Sequence, residues 1–294
     1  MTCDDLTAND SWGDEITVKN NYTVRIYSQN LNSCKLSQGM DKWNDIMTSM
    51  SKASCDIMNF VQTSANWKLL EIRNRMHAPV CNHMPIYKLI VGKNRFDSTQ
   101  MNLLGGTAQI ANGDWTGRIT QNLQDQRGLG RLCGTKLRLK HDRSLYIISA
   151  YRVCDQCISE VGIETAFGQQ HDMLSMEGFT YPQPHCQFNE DLMTYVKSLQ
   201  SELDEIMILM DANEQLGTST QGLTYLMREC KLVDLFHQNH GVCPAFTTYG
   251  NGNRRLDYAI GSSPLVPFIQ KCGYLPFYQG VSSDHRGLFV DLSL

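Results

Sequence analysis

Between Asp204 and Glu214 the chain reads DEIMILMDANE, a continuous apolar run that turns polar at Asp211, Asn213 and Glu214. A short unbroken run of this kind suits a buried strand, and its end is where side chains first escape the core. The pattern recurs. YTVRIYSQNLNS sets Val24, Ile26 and the neighbouring Tyr22 and Tyr27 in a buried strand that ends at Asn30 and Asn32. CDIMNFVQ, YIISAY, RRLDYAIGSS and HRGLFVDL are further strand-like runs, and the last follows the polar knot SSDH at 282–285. Several apolar strands thus close on Asn, Gln, Asp or His. One such ending is an ordinary turn or cap; their repetition in one chain points to a shared site.

Helical stripes alternate with these runs. MDKWNDIMTSMSKAS spaces Trp43, Ile46, Met47 and Met50 along one helix face, and EDLMTYVKSLQSEL does the same with Leu192, Met193, Val196 and Leu199. LTYLMRECKLVDLF predicts a helix running into a short apolar segment, and the polar stretch from 152 to about Pro184 predicts loop with a little helix. No internal linker or repeat divides the chain, so the alternation predicts one α/β domain over 21–294, preceded by a flexible or loosely docked arm at 1–20.

Composition narrows the function classes. No apolar run approaches the ~20 residues of a bilayer span, and MTCDDLTANDSWGDE lacks the basic start and apolar stretch of a signal peptide. The 11 cysteines are odd in number and irregular in spacing, which predicts free thiols in a reducing compartment. Cys154 and Cys157 form a single CxxC without a second pair, and neither His77, Cys81 and His83 nor His185 and Cys186 follow a standard zinc spacing. The net charge of −4 gives no support for tight non-specific nucleic-acid binding. One local exception runs from Arg118 to Arg143 and includes KLRLK, either a solvated strand face or a strip contacting phosphates.

In order along the chain, SQNLN, VQT…W, SAY, MDANE, TYGNGNRRLDY and SSDH resemble the endonuclease/exonuclease/phosphatase superfamily, nearest to retrotransposon-encoded endonuclease domains of the apurinic/apyrimidinic type. The resemblance spans roughly positions 22 to 294. It implies a DNase-I-like four-layered α/β sandwich, with two packed β-sheets flanked by helices. It also implies site roles, one position at a time. Asn30 matches the Asn closing the first strand, and Asn32 lies where relatives carry Asn or Asp near a metal. Tyr151 matches a Tyr that bonds the scissile phosphate. Asp211 matches the Asp that orients or deprotonates the attacking water, and Asn213 helps hold the phosphate. Asp257 matches the partner of the terminal His, which is His285, and Asp284 matches an acid near the metal. Thr248 and Ser283 fit lesser positions that set the phosphate and its neighbours.

Those residue types suit the chemistry. Phosphodiester hydrolysis needs an activated water and compensation for charge growing on phosphate oxygens. The resemblance implies Mg²⁺ or Mn²⁺ as cofactor, DNA as partner with no membrane, and a reverse transcriptase that these residues do not contain. It further implies an intracellular location, nuclear if the substrate is chromosomal DNA.

One departure matters. The family reads Gln-Glu-Thr at the end of its second strand, with Glu as principal metal ligand; here Gln62 takes that position, and Glu71 lies turns away. Gln keeps the shape and one carbonyl oxygen but loses a full charge, which weakens affinity for a hard cation. Two expectations therefore stand: a DNA endonuclease that nicks for target-primed reverse transcription, weakened at Gln62, or an inactive nucleic-acid-binding remnant. A phosphatase of the same fold ranks last, because GGTAQIANGDWTGRI and GNRRLDY look closer to the retroelement nucleases. Gly105 and Gly106 suit either a close backbone approach to phosphate or a plain strand turn.

Overall fold

The computed structural model describes residues 10–34, 40–241, 247–277, 279 and 281–294. Its strands are β1 (Trp12–Gly13), β2 (Thr23–Asn30), β3 (Ile57–Val61), β4 (Tyr87–Val91), β5 (Thr107–Asn112), β6 (Ile119–Gln124), β7 (Leu132–Arg138), β8 (Ser144–Tyr151), β9 (Asp204–Asp211), β10 (Leu232–Asp234), β11 (Asp257–Ser262), β12 (Ile269–Tyr274) and β13 (Leu288–Ser293). The α-helices are α1 (Asp41–Lys52), α2 (Leu70–His83), α3 (Ala166–Met176), α4 (Pro184–Leu199), α5 (Leu223–Glu229) and α6 (Leu235–His240).

Two mixed sheets result. Sheet one has the order β1-β12-β13-β2-β3-β5-β4, and sheet two β10-β11-β9-β8-β7-β6. The alternation of side chains along each strand divides its apolar residues between two cores. In β9, Met207 and Leu209 enter the core between the sheets, while Ile206, Ile208 and Met210 face α4 and α5. In β2, Val24 and Ile26 point between the sheets and Tyr27 lies under α1, with Trp43, Ile46, Met47 and Met50. Helix, sheet, sheet, helix: this is the four-layered sandwich that the resemblance implies. No helix among the described residues is long and apolar enough to cross a membrane.

A repeat hidden in the sequence is plain in the topology. Leaving out β1, the neighbours β12-β13-β2-β3-β5-β4 of sheet one are matched by β6-β7-β8-β9-β11-β10 of sheet two. Each half holds a parallel pair, β2 with β3 and β8 with β9. In each half, too, a short 3₁₀ turn (Gly113–Arg118, then Ser263–Phe268) carries the chain into the other sheet. Side-chain amides stitch the sheets together between these pairs. Gln109 Nε2 donates to Asn59 Oδ1 at 2.8 Å and across the interface to Ile147 O at 3.1 Å.

Residues 1–9 of the expected arm lie outside the described residues, but 10–20 are docked. Trp12 pairs with Tyr274 in the ladder, packs on Phe236 at 4.7 Å between ring centroids, and so makes β1 an edge strand. Arg25 reaches the same segment through Thr17 O at 2.9 Å, while its guanidinium forks onto Asp291 at 2.7 and 2.8 Å. Tyr22, expected in the buried strand, is instead 82% exposed, because the ladder to β13 starts only at Thr23. Helix α4 starts well before its apolar stripe, with Pro184 in the first turn, where a missing N–H costs nothing. The nine described cysteines are all free thiols; Cys3 and Cys243 lie outside the described residues.

The Arg25–Asp291 pair is almost wholly buried. Asp291→Ala would strand a guanidinium in the core, and the expected loss is about 3–5 kcal/mol in urea unfolding at neutral pH.

Candidate active site

The parallel pairs bring their C-terminal tips to one end of the sandwich. Asn30 lies opposite Val61, Tyr151 opposite Asp211, and Asp257 opposite Asp211 from the antiparallel side. Beyond the strands the loops continue the pairing: Leu31, Ser33 and Cys34 donate their N–H groups to the carbonyls of Val61, Gln62 and Thr63. These loops take left-handed backbone at Asn32 (φ 44°), Ser33 (73°), Gln62 (51°), Ser64 (51°) and Asn213 (48°). Such conformations cost energy in non-glycine residues and persist only when surrounding bonds hold them. Here Gly105 and Gly106, also left-handed, accept from Ser64 N and Thr63 N. A Cβ on Gly106 would come within 3.0 Å of Thr63 Oγ1, so this glycine pair is a tight turn supporting the site.

The side chains form one connected network. Asn30 Nδ2 donates to Gln62 Oε1 at 2.9 Å and to Asp211 Oδ2 at 2.7 Å, and it lies 3.5 Å from His285 Nε2. Asp211 Oδ1 accepts from Asn213 N at 2.9 Å, and Asn213 Nδ2 also reaches Asp211 Oδ2 at 3.3 Å. His285 Nδ1 is 2.9 Å from Asp257 Oδ2. Thr248 Oγ1 accepts from Leu256 N and Asp257 N, while Ser283 Oγ donates to Asn30 O and accepts from His285 N. The two hydroxyls therefore fasten the site's own loops.

Burial makes charge costly in this network, so its titrating groups depend on one another. Desolvation raises the Asp211 carboxyl to about 7, helped by the charge of Asp257 and opposed by His285 and by hydrogen bonds from Asn213 and Asn30. Burial alone would lower His285, but the Coulombic pull and hydrogen bond of Asp257, with Asp211 and Asp284 adding, lift it to about 9. The Tyr151 phenol is pushed well above its ordinary range by burial and by Asp211, so it stays a hydrogen-bond donor.

The residues expected at a metal are less uniform. Asn32 is exposed and Gln62 is already bonded to Asn30, so Asp284 supplies the one carboxylate among Asn32, Gln62 and Asp284. Its Oδ2 accepts from Asn251 at 3.2 Å, while Oδ1 is buried without a hydrogen-bond partner, a donor atom open to a cation. Glu71 is exposed on α2 and paired with Arg75, so it does not replace the missing acid. Deeper in the site, Asp211, Asp257 and His285 bring carboxylate and imidazole atoms within 4.8 Å of one another. This acidic cluster could hold a metal ion, and its hard oxygen donors suit a divalent one.

The basic strip offers the site no free charge where its residues are paired or lie at the far strand end. Arg138 is opposite Ser144 at the end of β8 remote from Tyr151, and Arg131, Lys136 and Arg143 are paired with Asp125, Asp204 and Glu205. Three neighbours of the site escaped sequence reasoning. Tyr249 holds its ring 5.0 Å from that of His285, Cys154 donates its thiol to Asn213 Oδ1 at 2.9 Å, and Gln29 donates to the His285 carbonyl at 2.7 Å. Adjacency to Thr248, Tyr151 and Asn30 was the available signal.

No family model and no curated protein matches the chain. Solved structures do. An AP endonuclease from Leishmania major is 13% identical with a TM-score of 0.64, over 92% of this chain and 88% of its own. An endonuclease/exonuclease/phosphatase family protein from Leptotrichia buccalis is 12% identical with a TM-score of 0.63, over 92% and 100%. The endonuclease domain of TRAS1, a telomere-specific non-LTR retrotransposon, is 13% identical with a TM-score of 0.56, over 92% and 99%. At such identities the shared property is the fold, and it is the one expected from the strand-end motifs.

NMR of the His285 ring should give a titration midpoint near 9, against the ordinary 6.5. Asp257→Asn should bring it down steeply, since burial is then less opposed. The sign for stability follows from the raised value. The His285–Asp257 pair stabilises fully below about 6.5 and loses its contribution as pH rises through about 9. Chemical unfolding of wild type and Asp257→Asn between these limits measures it.

Proposed function

We propose that the chain is a metal-dependent phosphodiesterase acting on DNA, an endonuclease of retrotransposon type that nicks one strand for target-primed reverse transcription. One observation carries the reading: Asp211, with its carboxyl raised to about 7, meets the buried His285–Asp257 pair and the amides of Asn30 and Asn213 in a single network. The fold shared with an AP endonuclease and a retrotransposon endonuclease domain supports it.

In this reading Asp211 accepts the proton of the attacking water, a task suited to a group whose pKa lies near the working pH. Asn213 and Asn30 keep its two oxygens oriented. His285, kept cationic by Asp257, donates from Nε2 to the phosphate oxygen that gains charge, and Tyr151 donates its phenol to a second oxygen. Thr248 and Ser283 hold Asp257, His285 and Asn30 in register. Mg²⁺ or Mn²⁺, when bound, supplies Lewis acidity to the phosphate. The residues that would hold it are Asp284 with the amide oxygens of Asn32 and Gln62, which leaves Asp211 and His285 to the water and the phosphate. The partner this reading implies, besides DNA, is a reverse transcriptase that these residues do not contain.

A second reading, a nucleic-acid-binding module that does not cleave, is favoured by Gln62, whose carbonyl is committed to Asn30 where a ligand carboxylate is expected. Nicking of supercoiled plasmid across Mg²⁺ and Mn²⁺ titrations separates the two. Active protein should give open circles, with Asp211→Asn and His285→Ala slower by roughly 10²–10⁴-fold. Gln62→Glu should lower the metal concentration for half-maximal nicking. Folded protein that retards DNA in gels but gives no open circles at any metal concentration supports the binding module instead.

A further inference from the structure

The loop leaving β8 carries two cysteines, Cys154 and Cys157, both exposed and both free. Cys34, Cys55, Cys133, Cys230 and Cys272 are buried, which removes them from solvent oxidants. The Cys154 thiol donates to Asn213 Oδ1 at 2.9 Å. Asn213 in turn spends its Nδ2 on Arg152 O at 2.7 Å and on Asp211 Oδ2 at 3.3 Å. The sulfur is thus one hydrogen bond away from an amide that orients Asp211. Partial burial and the Asp211 charge push the Cys154 thiol up, which keeps its hydrogen available for that bond at neutral pH. Cys157 Sγ lies 3.0 Å from Ser159 Oγ, at the turn that follows.

We propose that Cys154 and Cys157 form a modification site beside the strand-tip network, a dithiol that a small disulfide such as glutathione disulfide oxidises to an intramolecular disulfide. The effect on that network rests on the role given to Asn213 above; the chemistry of the dithiol does not. The Cys157 thiolate attacks one sulfur of glutathione disulfide, forming a mixed disulfide and releasing one glutathione thiolate. The Cys154 thiolate then attacks the Cys157 sulfur and expels the second. Two protein thiols are oxidised, one glutathione disulfide is reduced to two thiols, and the two protein protons end on the leaving thiolates. Oxidised Cys154 has no hydrogen to donate. Asn213 Oδ1 loses its partner, and the amide is released from its orientation toward Asp211.

The test uses the full chain, equilibrated in graded glutathione and glutathione disulfide, then alkylated and digested for mass spectrometry. The Asn213 side-chain amide signals are followed by NMR in the same samples. The peptide holding both cysteines should lose two hydrogen atoms as the Asn213 signals shift, and dithiothreitol should reverse both. Cys157→Ser should form no internal disulfide and keep the nicking rate of the reduced wild type. Oxidised wild type should nick roughly tenfold more slowly, the loss expected for one hydrogen bond of about 1.4 kcal/mol. The inference is overturned if Cys154 and Cys157 stay reduced while Cys81 or Cys186 is modified. It is equally overturned if the disulfide forms and the Asn213 signals do not move. Neither readout needs turnover, so a protein that never nicks DNA still decides the matter.

Discussion

Two sheets buried on both faces leave polar side chains few places to go. Between the layers, a carboxylate or imidazole would lose its hydration without compensation. The polar groups placed between the sheets are accordingly side-chain amides and hydroxyls: Gln109 of β5 and Ser149 of β8 bond across the interface, and Asn59 of β3 accepts from Gln109. Chemistry is pushed to the strand tips. Because the two halves of the chain repeat one strand order, the tips of both parallel pairs arrive at the same end and face each other across the sandwich. The polar network at that end is a consequence of that packing.

Once the tips meet, their charges must be reconciled in a region of low dielectric. Asp211 closes β9 and Asp257 opens the adjacent β11, so the two repel each other, and His285 is close to both as the counter-charge. The His285 imidazolium hydrogen-bonds Asp257 and attracts Asp211 through space, and Asn30 and Asn213 donate to the Asp211 oxygens. Gln62 belongs to this economy as well. Its carbonyl accepts from Asn30, so a neutral residue keeps the network continuous at the place where a ligand carboxylate is expected. The network there is neutral yet ordered, so under the proposed reading metal binding is the property most sensitive to Gln62.

The surroundings differ from a general-purpose nucleic-acid groove. The loop after Tyr151 carries Asp155, Glu160 and Glu164, and its basic residue, Arg152, is buried and paired with Glu214. The basic residues around KLRLK sit at the opposite end of β7 and β8 or are consumed in ion pairs. The groups left beside the strand tips are Tyr249, against the His285 ring, and Asn251, on Asp284.

Strand and helix positions were readable from residue order because period 2 and period 3.6 are local properties: β9 and α1 stand where DEIMILMD and DKWNDIM predicted them. The strand-end motifs likewise announced Asn30, Asp211, Asp257 and His285, since each is marked by the few residues beside it. Other features depend on contacts between segments far apart in the chain, and no local pattern encodes those. The topological repeat leaves no residue-level trace, because strand order depends on which neighbours pair and not on their identity. Trp12 docks only because Phe236 and Tyr274 offer it a ring surface, and Cys154 gains meaning only through Asn213, from another strand's end. The raised Asp211 and His285 pKa values belong to this second group, because desolvation and facing charges exist only after the two sheets have closed.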